Sequence, residues 1–339
     1  MSDRRYELTP QMREYDRLSP VWTPYSMFRS PSNLFFNCVS TDSFGNRHSV
    51  DRSGNLISLD SLDRDEPVSI LIGSSSGFGV GATHNRFTIS SQLCQLTGKK
   101  WLNLSGRAYT SFQEIVNFLS LLPNKIENVI LFSGANNLTI SLIANRITPE
   151  ITPFVMEERM KQFSKVVNGE DSGLRGLIKH NYSVIKRRFS KKSSLSFLQQ
   201  NPEEKFELIL QQYTRDLKIW KGLSLGLGFQ LHFVLQPLIS LFKKKLHPNE
   251  KELFNILDTM QGEDWQSVRK EMEARRFTYR ESLHSLANGL DIPFLDMNSS
   301  DSLAAPEWLF VDRVHLTDLG YSYIAKSINE KLLNTSQAP

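Results

Sequence analysis

Cysteine is almost missing from this chain of 339 residues: it has two, Cys38 and Cys94. That excludes a disulfide framework and a four-cysteine zinc site, and both are expected as free thiols. No stretch reaches the roughly 18 consecutive apolar residues that a membrane-spanning helix needs. The first residues, 1–7, mix charges of both signs with no apolar run behind them, so no cleavable secretion signal is visible and a cytoplasmic location is expected. An excess of one charge is lacking too. Lys and Arg number 40 against 36 Asp and Glu, and a net charge of +4 is too slight to argue for nucleic acid. There is no HExxH, no other histidine pair at metal-ligand spacing, and no GxGxxG after a predicted strand; the glycine-rich run 77–81 lacks the lysine of a phosphate loop. Neither a metal nor a nucleotide cofactor is called for. What remains is 40% apolar residues, enough to build the core of one large domain with insertions or of two smaller ones.

The richest signal is the run Ile70-Leu71-Ile72-Gly73-Ser74-Ser75-Ser76-Gly77-Phe78-Gly79, an apolar strand that empties into small residues. A continuous apolar run reads as a strand buried on both faces, and ligands gather beyond the carboxyl ends of such strands. A serine placed there needs a base, held in turn by a third group, before it can act as a nucleophile. Near the other end of the chain, Asp312 stands three residues before His315, just ahead of a helix start at Thr317 or Asp318. On a turn, that spacing lets the carboxylate curl back onto the imidazole, fix its tautomer and leave the other nitrogen free. Tyr321, Ile324 and Ile328 then give the helix an apolar face.

Two further strands end in polar turns, one through residues 100–111 and one through 127–137. Their ends should meet Ser75. A tetrahedral acyl intermediate needs preorganised donors for its oxyanion, and the Ser75 and Ala108 backbone N–H groups with the Asn136 amide could supply three.

Together these blocks resemble the SGNH hydrolases, also called GDSL esterases and lipases. GxS with a glycine four residues on (Gly73 to Gly79), the Asn103 to Ser111 turn, GxN (Gly134 to Asn136) and DxxH (Asp312 to His315) stand in the family's order. The resemblance covers residues 67–138 and 290–333. It implies a flavodoxin-like α/β three-layer sandwich with a central parallel sheet. Carried over by position, it makes Ser75 the nucleophile, His315 the base, Asp312 its orienting acid and Asn136 an oxyanion donor. The register favours Ser75 over Ser74 and Ser76. Two departures stand out: Ala108 occupies the place of the family's oxyanion glycine, and Asn137 that of the aspartate in GxND. The expected activity is hydrolysis of an O-acyl ester, most simply O-acetyl, through an acyl-enzyme. The same site could serve an acyltransferase or a thioesterase, and a non-catalytic binding protein could keep the same shell.

Strand and helix alternate, with helices expected over 87–96 and 112–121, a fourth strand over 229–236 and a fifth over 292–296, as a parallel sheet requires. Residues 1–66 read as an extension packed on the core, carrying Trp22, Tyr25 and Phe28, a 34–39 apolar run and a turn at 42–46. Its 37–47 stretch resembles the extension of bacterial SGNH proteins from surface-glycan gene clusters, which implies an acylated glycan as partner. About ninety residues separate the third and fourth strands where a dozen would do, so 139–228 is expected to hold a helical, basic insertion. Its 179–192 stretch interleaves basic and aromatic residues, with 206–213 helical behind it. The plain reading of this stretch is a solvated helix pair and loop; the functional ones are an anionic glycan, an acyl carrier's acidic surface or a membrane headgroup layer, and Lys243 to Lys245 could extend the patch. His84 is expected beside the cleft in a structural role and His232 as a hydrogen-bonded core residue. His180, His247 and His284 are expected on the surface.

Overall fold

The computed structural model describes residues 2–63, 66–144, 147–150, 152–153, 200–261 and 263–334. The basic 179–192 stretch and His180 lie outside the described residues. Two short helices, α1 (Ser2–Leu8) and α2 (Met12–Arg17), lead into the hairpins β1 (Val21–Thr23) with β2 (Met27–Arg29) and β3 (Ser49–Val50) with β4 (Leu56–Ile57). Between the hairpins, bridges join Phe35 to Ser40 and Thr41 to Arg47.

The central sheet holds β5 (Val68–Gly73), β6 (Trp101–Asn103), β7 (Ile126–Ser133), β8 (Gln230–Leu235) and β9 (Phe294–Asp296) in the order β6-β5-β7-β8-β9, every pair parallel. Counted within the sheet this is 2-1-3-4-5, the flavodoxin-like order, whose switch point lies between β5 and β7. Ile70, Leu71 and Ile72 are wholly buried, as their unbroken apolar run requires. Gly73 pairs with Phe132, and a Cβ there would sit 2.0 Å from the Phe132 carbonyl oxygen, so only glycine lets the two strands close at the switch point. The fifth strand begins at Phe294 and not at Ile292, because Pro293 has no N–H to give the ladder.

The helices between strands are α3 (Ser75–Phe78), α4 (Ile89–Thr97), α5 (Ser111–Ser120), α6 (Ala135–Ile143) and α7 (Pro202–Leu227). Beyond β8 follow α8 (Pro248–Gln261), α9 (Glu263–Ala274), α10 (Arg276–Asn288) and, last, α11 (Asp318–Ile328). Thr88 caps α4, its hydroxyl accepting the Ser91 N–H, and Gly98 ends it in the left-handed region. The helical pattern at 206–213 belongs to a helix of 26 residues that buries Phe206, Tyr213, Leu217 and Trp220 in the main core. Phe118 of α5 meets Trp220 and Phe229 edge-to-face at 4.8 and 5.7 Å. Such pairs add about 0.5–1.5 kcal/mol each beyond area burial. Two elements within the 139–228 span, the end of α6 and all of α7, thus pack as ordinary layers of the sandwich.

Three expectations about side chains are corrected. His232 is buried on β8, but neither ring nitrogen has a hydrogen-bond partner among the described residues, and burial pulls its pKa down to about 4. Lys244 is not a surface cation: its side chain is fully buried against that of Glu250, Nζ to Oε2 2.8 Å. His247 is half-buried and stacked on Trp308. No helix among the described residues is long and apolar enough to cross a membrane.

Candidate active site

Strand β5 ends at the switch point, and Ser75 opens the single helical turn α3 two residues beyond it. The Ser75 hydroxyl lies 2.8 Å from His315 Nε2, and His315 Nδ1 lies 2.7 Å from Asp312 Oδ2. The other carboxylate oxygen accepts the Val314 and His315 backbone N–H groups at 2.8 and 2.7 Å. With Nδ1 donating to the carboxylate, Nε2 is left as the acceptor for the serine proton. Burial pushes the Asp312 carboxyl up, but the imidazole beside it and these hydrogen bonds outweigh that and hold it below the usual range.

The neighbouring serines have other duties. Ser74 donates to Gln236 Oε1 (2.7 Å) at the end of β8, and Ser76 donates to the Val314 carbonyl (3.1 Å). Only the middle hydroxyl faces the imidazole. The Ser76 bond also ties the Ser75 turn to the loop that carries His315.

That loop is anchored from behind. Arg313, between Asp312 and His315, grips Asp258 of α8 through two nitrogens at 2.9 and 2.6 Å, and its carbonyl accepts the Ile239 N–H. Buried Glu250 accepts the Leu309 and Phe310 N–H groups with one oxygen and the Lys244 ammonium and His247 N–H with the other. Thr317 caps α11, accepting the Gly320 N–H, while Asp318 turns to Thr83.

The second strand end forms the turn Gly106 to Tyr109, closed by Tyr109 N–H on the Gly106 carbonyl, with Gly106 N–H on Gly73. Ala108 sits in that turn at φ +62, where glycine is favoured and a side chain costs about 1–2 kcal/mol. Its N–H and that of Ser75 donate to no group among the described residues. Asn136 gives one amide hydrogen to the Tyr109 carbonyl (2.8 Å), and the amide's geometry leaves the second available. Gly134 precedes it at φ +119, with Leu235 where a Cβ would go. Asn137 points the other way: it accepts the Ser111 N–H at the start of α5 and donates to the Ser111 hydroxyl. The same hydroxyl donates to Asp216, which Arg215 pairs. Below the turn, Glu114 is fully buried with Ser133 as its donor, and burial with the nearby Asp216 charge raises its pKa to about 8.

The N-terminal segment packs on this machinery. Met12, Tyr15, Leu18, Cys38 and Val39 form a second core with Phe78 and Val80, which follow Ser75, and Val311, which precedes Asp312. Arg47, 1% exposed, donates to the Phe78, Gly79 and Cys38 carbonyls, to Asn85 and to the Tyr15 hydroxyl. Tyr15 in turn donates to the Gly79 and Ala82 carbonyls.

Sequence reading brought Ser75, His315 and Asp312 together, and placed Ala108 and Asn136 beside them. It missed Gln236, Arg313, Glu250 and Arg47. Gln236 was findable, being a polar residue at the end of an apolar strand; the others show only through partners distant in the chain. His84 is exposed and accepts the Arg86 N–H. His284 is exposed against Phe294. A separate cavity of about 430 Å³ opens at the β9 edge between Phe277, Arg280, His284 and Asp296 and shares none of these site residues. Among the described residues no cluster of acids, histidines or cysteines could hold a metal ion.

No protein-family model and no curated protein matches the chain. Solved structures similar to it include an extracellular lipase from Streptomyces rimosus, 11% identical, covering 78% of this chain and 99% of its own, with a TM-score of 0.46. A GDSL-like lipase from Bacteroides thetaiotaomicron is 13% identical over 82% of this chain and 94% of its own, TM-score 0.37. An acetyl xylan esterase, AlAXEase, is 12% identical over 78% and 99%, TM-score 0.39. The three-layer α/β sandwich that the SGNH resemblance implied is present here, and it stands on the strand order itself.

Proposed function

We propose that the chain is a serine esterase of SGNH type that hydrolyses an O-acyl ester through an acyl-enzyme. One observation carries the reading: of three consecutive serine hydroxyls, only Ser75 Oγ lies against His315 Nε2, at 2.8 Å, with Asp312 behind the ring at 2.7 Å. Ser75 attacks the ester carbonyl as His315 takes its proton. His315 then gives that proton to the departing alcohol, while Asp312 holds the ring and offsets the imidazolium charge. The Ser75 and Ala108 N–H groups and the free hydrogen of the Asn136 amide receive the oxyanion. Losing one such donor typically slows a hydrolase by roughly 100- to 1000-fold. Water, activated by the same imidazole, releases the acid and restores the serine.

The acyl group is O-acetyl on a carbohydrate, a reading supported by the likeness of residues 37–47 to glycan-cluster extensions. Acyl transfer to a sugar hydroxyl, or loading from a thioester, would use the same steps with a different second substrate. A panel of p-nitrophenyl esters of graded length, acetylated sugars and acyl thioesters tests the assignment. The expected result is turnover of acetyl esters that is lost in Ser75→Ala. Turnover of none of them, or turnover that survives Ser75→Ala, contradicts it.

A further inference from the structure

The hairpin β1–β2 is built into the oxyanion turn. Residues on both sides of Ala108 hold it. Arg107 donates to the Tyr15 and Leu18 carbonyls just ahead of β1, Tyr109 donates its hydroxyl to the Phe28 carbonyl (2.8 Å), and Gln113 donates to the Ser26 carbonyl (2.9 Å). Phe28 packs edge-to-face on Tyr109 at 5.8 Å. Trp22 is the register partner of Phe28 and so shares its face of the hairpin, yet Trp22 is 61% exposed where Phe28 is 5%.

The tip is more unusual still. Ser26 N–H donates to the Pro24 carbonyl across a single residue, Tyr25, which stands at φ +67 and is 85% exposed. That is a γ-turn of the strained hand. Met27 follows at φ +71. Backbone strain of this kind persists where the surroundings impose it, and here it holds an aromatic ring out into water beside a candidate active site. Residues 21–28 carry no acidic or basic side chain; Tyr25 offers its hydroxyl, Thr23 is half-buried, and Ser26 is buried with its hydroxyl 2.9 Å from that of Thr23. The hairpin's one cation, Arg29, is half-buried at its base opposite Val21, and the surface of open aromatic faces and neutral hydroxyls at its tip suits a ligand that presents polarised C–H faces and hydroxyls of its own. It does not suit an anionic chain or an acidic lipid surface.

We propose that Trp22 and Tyr25 form a platform for the pyranose rings of a neutral oligosaccharide, seating the sugar beside Ser75. The proposal rests on the esterase reading for the ester it would deliver, but its binding step does not. Titration of the intact chain with xylohexaose, mannohexaose and cellohexaose tests it. At least one should bind, and Trp22→Ala should weaken that binding about ten-fold or more, the loss expected of an aromatic hot spot. Tyr25→Gly separates role from folding. Glycine relieves the φ +67 strain, so this variant should be at least as stable as the parent and still bind the sugar less well.

On the kinetic side, both variants should lower the ratio of kcat/KM for acetylated oligosaccharide to that for p-nitrophenyl acetate, through KM. Binding of none of the three sugars, or unchanged binding in both variants, overturns the platform. So does aromatic-dependent binding to phosphatidylcholine vesicles, or aromatic-dependent self-association, without sugar binding. Ester turnover without sugar binding sinks the platform alone; sugar binding without turnover of any ester sinks the esterase reading alone.

Discussion

Ala108 is the residue where the chain departs from its resemblance at least apparent cost to the site. It holds a methyl group at φ +62 in a turn that favours glycine, and the N–H it presents donates to no group among the described residues. Relief of about 1–2 kcal/mol of strain should outweigh the roughly 0.4–1 kcal/mol of extra unfolded-state entropy that glycine brings. Ala108→Gly is therefore expected to unfold at a higher denaturant concentration with its ester turnover kept; a lower midpoint would mean the methyl group packs for more than it strains. Glu114 makes a prediction in pH. Its pKa near 8 in the folded chain, against an ordinary value of 4.5, means that between those values the folded chain keeps a proton the unfolded chain has lost. Stability then falls as pH rises through that window, by up to ~1.4 kcal/mol per pH unit. Glu114→Gln, which still accepts from Ser133, should gain stability over the parent as pH goes from 5 to 8. A gap that stays constant across those pH values would contradict the assignment. Ser75 was legible because a strand end dictates exposure. The duties of Ser74 and Ser76 were not, since their partners lie 162 and 238 residues away.

At the scale of elements, the loop from Leu309 to Thr317 is held both by its own hydrogen bonds and by α8. Glu250 satisfies the Leu309 and Phe310 N–H groups and the buried Lys244 together. Removing one partner of a buried pair leaves the other charge unpaired, at a cost of about 3–5 kcal/mol. Glu250→Gln should lose stability of that size in denaturant titration and loosen the His315 loop with it; a loss under about 1 kcal/mol would show that the ion pair holds nothing. Strand β5 was legible because burial on both faces writes an unbroken apolar run, and the Asp312 to His315 turn because both partners lie within one turn of chain. Strand order was not, since apolar runs carry no register. Lys244 was misread for a related reason: three adjacent lysines look like a solvated patch until a glutamate from the next helix reaches one of them. His232 was misread because alternation along a strand reports burial and is silent on partners.

For the molecule as a whole, the proposed function needs segments from both ends of the chain to meet at the sheet's switch point. The N-terminal segment, through Tyr15 and Arg47, packs against the turn that follows Ser75, and its core reaches Val311 in the C-terminal loop. The sequence marked these residues as an extension and contained nothing to show that they grip the site, because a buried arginine announces itself only through the carbonyls it meets. The hydroxyl and the imidazole are 240 residues apart in the chain and 2.8 Å apart in space. Labelling with a fluorophosphonate tests that meeting directly. A covalent adduct on Ser75, absent in Ser75→Ala and formed roughly 100- to 10,000-fold more slowly in His315→Ala, is the predicted result. No adduct, an adduct on Ser74 or Ser76, or an unchanged rate without the imidazole would contradict it.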